Sequence, residues 1–308
     1  FWLRRFHVGI YYFSDNECWF QANLAAVKAF PQVLFLPGFW AEYGMCSEPA
    51  SFGAKCSFYE NEFPFAHPLS DALNSIRRPD PRTDGLTPFL LRRLERMRPR
   101  IEAAGHSLRF AVARGPLNIA AFLMGASEFL MALRTEPDQA HRMLDTITCF
   151  LEDWLRLQKE RIDTIDGILL LDDIVGFLGE EDFKEFAKPY VTRAFAAFEA
   201  SVRFFHNDAH GLVCAPHLAD MGINLFNFGY DHTMPEMQRL TGGKVTLLGN
   251  IPPRDVLAKG TPAEVAESVR QLLDSIADTR RVILSCGGGM PPGVSTENIE
   301  AFLNAVIH

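Results

Sequence analysis

The stretch "FFHNDAHG" at 204–211 runs two phenylalanines into His206, Asn207, Asp208 and His210. An apolar run ending in an imidazole and a carboxylate two residues apart can bind a metal ion or move a proton. Near the other end of the chain, "RVILSC" stops at Cys286 and is followed by "GGGMPPG". His206, Asp208 and Cys286 together would suit Zn²⁺, three protein ligands leaving one position open for substrate. The same residues also read as a hydrogen-bonded His–Asp pair capping a loop, with Cys286 a small core residue. Asp172 and Asp173 end "GILLLD" and its neighbour, where they either cap the next helix or line a pocket. "GGGMPPG" lacks the pattern of a phosphate-binding loop and reads as a turn. His210 and His217 are expected on a helix after 206. Cys214, four residues beyond His210, is expected on the same helical face as a buried structural thiol.

These residues need elements to hold them. Short runs rich in Val, Ile, Leu and Phe fall at 7–12, 33–37, 108–113, 167–172, 202–206, 223–229, 244–250 and 281–286. They have the character of strands buried on both faces. Amphipathic stretches lie between them. One follows a Ser/Asp cap signal at 14–15, one opens on Thr135-Glu136-Pro137, one on Thr261-Pro262, and one closes the chain at 295–307. Pro189 should kink or divide the stretch 179–201. Strands alternating with helices imply βαβ units, and about eight of them predict a single (β/α)₈ TIM barrel over 1–308. The irregular, Pro- and Gly-rich segment 40–105 reads as a long N-terminal insertion over the barrel mouth. In such a barrel, chemistry sits where strands end. Asp172 and Asp173, His206 and Asp208, Asn227 with Asp231 and His232, Asn250, and Cys286 would then converge on one rim.

Composition narrows the class. The chain has 308 residues, 48% hydrophobic and 22% charged, with a net charge of −8. That balance argues against nucleic acid, which requires a clustered cationic surface. Six cysteines at 18, 46, 56, 149, 214 and 286 form no CxxC pair and point to reduced thiols in a cytoplasm. No apolar run reaches the roughly 18 residues of a membrane span. No leader peptide is visible, and the chain opens on Phe1, so residues before it are expected.

Five ordered segments, spanning about 47 to 308, resemble the uroporphyrinogen decarboxylase superfamily. "SEPASFGAKCSFYENEFP" (47–64) is similar to its "EAEAFGCxVxF" segment, and "ARGPLNIAAFLMG" to "GPxTLAxxLxG". "HNDAHGLVCAPHLADMGINLFNFG" resembles the His-x-Cys-Gly-Asn segment, "VTLLGNIPPRDVL" the "GNIDP" segment, and "ILSCGGGMPPGVSTENIEAFLNAV" the C-terminal "SxGCGxxPxTPxENIxA" segment. The Arg-Gln-Ala-Gly-Arg segment with which true decarboxylases bind porphyrinogen carboxylates is not present in this sequence. The Arg-rich stretch 78–100 is expected on a solvated helix surface.

The resemblance is closest in type to the corrinoid-dependent methyltransferase branch, of the methylcobalamin:coenzyme M methyltransferase kind. That branch holds zinc with His, Cys and a distant Cys. Here those positions are His206, Asp208 and Cys286. A carboxylate in place of one thiolate makes the site harder and favours oxygen donors. The implied activity is metal-dependent transfer of a methyl group between a small substrate, such as a methoxyaromatic or other O-methyl donor, and cobalamin carried by a separate corrinoid protein. Asp231 is implied as a fourth ligand or proton acceptor. Glu48, Asp172, Asp173 and Asn250 are expected in the substrate pocket. Alternatives are a metal-free decarboxylase-like lyase and a non-catalytic corrinoid or tetrapyrrole binding protein.

Overall fold

Helix starts are written plainly in this chain. Asp15 accepts a hydrogen bond from the Cys18 N–H and opens the helix Asn16–Ala29. Thr261 and Glu264 form a reciprocal capping box at the start of Pro262–Ser275. Pro137 sits in the first turn of the 25-residue helix Pro137–Arg161, where its missing N–H costs nothing. The computed structural model describes residues 9–307. They form an α/β fold whose contacts gather into two compact units, 9–170 with 184–201 and 171–183 with 202–307.

The first unit is mainly helical. It holds the short antiparallel pair β1 (Cys56–Ser57) and β2 (Phe65–Ala66), then β3 (Phe110–Arg114) and β4 (Gly167–Leu171), the last residue of which passes into the second unit. Trp19, Phe129, Phe150 and Trp154 are buried here. Each large apolar side chain removed from water contributes about 1.5–3 kcal/mol. Pro189 lies at the start of the helix Lys188–Phe195, directly after a π-helical turn at Phe183–Ala187. The expected division of that stretch is therefore present.

Four expectations fail in this unit. Residues 9–12 of the first predicted strand are helical, in Gly9–Ser14, while 7 and 8 lie outside the described residues. Tyr11 is exposed and Phe13 buried, so the run is amphipathic with a helical rather than a strand period. The second predicted strand, 33–37, is irregular. Leu34 is exposed, and Pro31 and Pro37 remove two of the donors that a ladder would need. The segment 40–105 is not irregular throughout, because Thr87–Ala103 is a 17-residue helix. Leu90, Leu94, Met97 and Ile101 bury one stripe of it. The surrounding arginines and prolines hid that period in the sequence. Arg93 also departs from the expected solvated surface: it is buried, its Nε donating to Asn16 Oδ1.

The second unit carries four parallel strands in sequential order: β5 (Val202–Asn207), β6 (Leu225–Phe228), β7 (Thr246–Ile251) and β8 (Val282–Cys286). All four residues of β6 are buried, as expected for a strand covered on both faces. Phe205 and Phe226 stack at 5.9 Å. Register places His206 beside Asn227 and Asn227 beside Leu248. Among the described residues no single helix is long and apolar enough to cross a membrane. The adjoining helices Pro116–Met124 and Ala126–Thr135, apolar enough only as a pair, bend by 105°.

Candidate metal centre

The ends of β4 and β5 deliver three ligand-type side chains to one place in the second unit. Asp173 opens the single 3₁₀ turn Asp173–Phe177 that follows β4, and His206 and Asp208 lie at the end of β5. His206 Nε2 stands 3.8 Å from Asp173 Oδ1 and 3.8 Å from Asp208 Oδ2. All three donor atoms lie within 4.8 Å of one another. Backbone contacts hold the two strand ends together. The Asp172 N–H donates to the His206 carbonyl at 3.0 Å, and the Asp208 N–H to Asp173 Oδ1 at 3.1 Å.

The orientation of His206 follows from β6. Asn227 Nδ2 donates to the carbonyl of Leu248 at 2.8 Å and to that of Cys286 at 3.4 Å. Its amide orientation is therefore set by two backbone acceptors, and Oδ1 turns to His206 Nδ1 at 2.7 Å. Since Oδ1 can only accept, Nδ1 carries the proton, and the lone pair of the neutral ring is on Nε2, facing the two carboxylates. A fixed Nδ1–H donor on one side with a free Nε2 on the other is the usual arrangement of a metal-binding imidazole. Burial, followed by the Asp173 charge, pushes the Asp208 carboxyl above its ordinary range, with His206 opposing.

The other candidates occupy distinct places. Cys286 ends β8, and its thiol donates to the Gly288 carbonyl at 3.0 Å. Burial first, and the Asp208 charge in addition, raise its pKa. The glycine-rich loop passes close over Asp208: a Cβ on Gly288, whose φ is +105°, would lie 2.5 Å from Asp208 Oδ2. Only glycine fits that approach. Asn250 is buried and its amide donates to the carbonyls of His232 and, at 3.5 Å, Gly229, bracing the loop after β6. Asp231 is exposed on that loop and stands outside the three-residue cluster. Asp172 is fully buried. It precedes the turn without a side-chain capping bond, so the capping alternative does not apply to it. Glu48 belongs to the other unit, where it is buried beside Arg114.

Residues 210–214 are not helical, so His210 and Cys214 do not share a helical face. A Cβ on Gly211 would meet Met237 at 3.0 Å and Phe226 at 3.4 Å. His210 instead packs against the ring of His232 at 5.8 Å. Cys214 is a buried thiol, as expected, with a pKa pushed up to about 12 by burial. Two features escaped the sequence reading. Asp173 was placed with the substrate pocket, not among the ligands, and Asn227 was noted only as part of a polar strand end. A lone Asn inside the apolar run "INLFNF" was the available signal, because a buried amide must find partners.

The chain matches the family model "Uroporphyrinogen decarboxylase (URO-D)" over residues 12–308 and belongs to that family. Among curated relatives, uroporphyrinogen decarboxylase from Chlorobaculum parvum is 26% identical over 179 residues, covering 56% of this chain and 49% of the relative. The match thus spans about half the length of that protein. Uroporphyrinogen decarboxylase from Pseudoalteromonas translucida is 23% identical over 274 residues, 84% of this chain and 75% of the relative. A solved methyltransferase from Methanosarcina mazei superposes with a TM-score of 0.79 at 18% identity, covering 94% of this chain and 84% of that one. At that identity the likeness is one of fold.

Proposed function

We propose that this protein is a metal-dependent methyltransferase that moves a methyl group between a small substrate and cobalamin carried by a separate corrinoid protein. The observation that carries the reading is the pairing of a tautomer-fixed His206 with carboxylates at its free nitrogen. Those residues fit a divalent cation, Zn²⁺ first, because neutral imidazole and carboxylate are its ordinary ligands. His206 and Asp208 would hold it, with Cys286 the third ligand that the family resemblance implies. When bound, such an ion acts as a Lewis acid on a substrate oxygen. The chain's own residues do the rest. Asn227 holds the imidazole in its binding tautomer, and Asn250 keeps the loop after β6 in place. Asp231, exposed on that loop, is assigned the role of proton acceptor or donor. Asp172 remains assigned to substrate contacts. A single (β/α)₈ barrel over 1–308 and a cytoplasmic location belong to the same proposal.

A second reading, a metal-free uroporphyrinogen decarboxylase-like lyase, is favoured by the names of the curated relatives. One paired assay separates them. The purified protein is incubated with uroporphyrinogen, and CO₂ release is followed. In parallel it is given a methoxyaromatic with reduced Co(I) cobalamin, and methylcobalamin is followed optically. Methylcobalamin formation that is abolished by chelator supports the proposal. Sustained CO₂ release with a chelator-insensitive rate replaces it with the second reading.

A further inference from the structure

The donor atoms at His206 define a ligand set different from the one that the family resemblance implies. Three groups converge there, two carboxylates and one imidazole. Among the described residues, His206 is the only cationic-type partner of either carboxylate. Its Nδ1 faces Asn227 Oδ1, so Nε2 is the ring nitrogen turned toward the two carboxylates. At 3.8 Å those gaps are too long for a shared proton to bridge as a hydrogen bond. They are close to what an ion needs: bonds of about 2.1 Å in a tetrahedron set ligand atoms about 3.4 Å apart. A contraction of a few tenths of an ångström would bring both imidazole–carboxylate gaps to that spacing.

Cys286 is directed elsewhere. Its Sγ lies 3.0 Å from the Gly288 carbonyl oxygen and is not one of the three donor atoms that gather within 4.8 Å of one another. The carbonyl belongs to the same glycine that packs against Asp208.

We infer that Asp173, and not Cys286, is the third protein ligand, giving a His206–Asp173–Asp208 site that takes an oxygen-preferring divalent cation. This rests on the metal-dependent reading above and sharpens it. Two carboxylates balance the charge of a divalent ion without thiolate donation, leaving it a harder Lewis acid. The matching substrate class is an oxygen donor, an O-methyl ether or its phenolate or alkoxide product, rather than a thiol.

The test uses the full chain, stripped with chelator and reloaded with Co²⁺, whose bonds to thiolate give a near-ultraviolet charge-transfer band. Wild type, Asp173→Asn, Asp173→Glu and Cys286→Ser are compared by elemental analysis, optical spectrum and thermal melt. Wild type should bind one Co²⁺ per chain without a thiolate band. Cys286→Ser should match it in both stoichiometry and spectrum. Asp173→Asn should bind at least about tenfold more weakly. Should that variant fail to fold, Asp173→Glu, which keeps the carboxylate, should still hold the ion. A thiolate band in wild type that disappears in Cys286→Ser overturns the inference and leaves the metal-dependent reading standing. So does full affinity in folded Asp173→Asn. No metal bound by wild type overturns both.

Discussion

Two clusters of carboxylates, one in each unit, use the same side chains for opposite ends. In the mainly helical unit, Arg114 Nη2 meets Glu42 Oε2 at 2.8 Å and Nη1 meets Glu48 Oε2 at 3.5 Å. The Arg114 backbone N–H also donates to Glu48 Oε1, at 3.3 Å. The three side chains are 12%, 16% and 3% exposed. In the strand-rich unit, Asp173 and Asp208 are 38% and 42% exposed and face a histidine lone pair instead of a guanidinium. The first cluster is buried around its own guanidinium. The second is half open, and His206 is the only cationic-type partner that it has among the described residues. A buried carboxylate with a permanent partner argues for structure. A pair of carboxylates around a preset imidazole argues for function.

The contrast is most exposed to attack at Arg114. Arg114→Met leaves Glu42 and Glu48 without their cation, which should cost about 3–5 kcal/mol of stability in denaturant unfolding. A cost below about 1 kcal/mol, the range of surface pairs, would erase the distinction between the two clusters. Next comes Asn227→Leu, which removes the hydrogen bond that sets the His206 tautomer. Metal affinity measured by competitive chelation should fall about 10–100-fold. Unchanged affinity would mean that the imidazole needs no orientation from β6.

The smallest expected effect is the pH dependence of Glu48. Burial raises its carboxyl pKa despite the opposing charge of Arg114. A folded-state pKa above the unfolded one means that the native state holds the proton more tightly. Wild type should therefore gain stability relative to Glu48→Gln as pH falls from the raised value toward the ordinary carboxyl range, and gain nothing further below it. Paired denaturant titrations across that window check the sign. A gain on raising the pH would show that the ion pair, not burial, governs this group.

Much of the second unit was legible in the residues. The runs ending at His206, Asn250 and Cys286 are strands because Val, Ile, Leu and Phe are concentrated there without Pro, and the helix starts at Asp15, Pro137 and Thr261 followed from local capping chemistry. The failures at 9–14 and 33–37 have a common cause. A short apolar run carries little period, and its neighbours decide whether it pairs or coils.

The linear order of residues determined which groups were able to do chemistry at the strand ends, including His206, Asp208 and Asp173. Only the tertiary structure decided which of them meet. Asp173 is 33 positions before His206, and the two come together through a backbone bond from Asp172 to the His206 carbonyl. Asn227 controls the imidazole only because β5 and β6 pair in the register that sets it opposite His206. Cys286, equally suited by type, is turned to the Gly288 carbonyl by a loop whose path depends on glycine's freedom at positive φ. Residue type sets what a side chain can bind, whereas register and loop path set what lies within a bond's length of it.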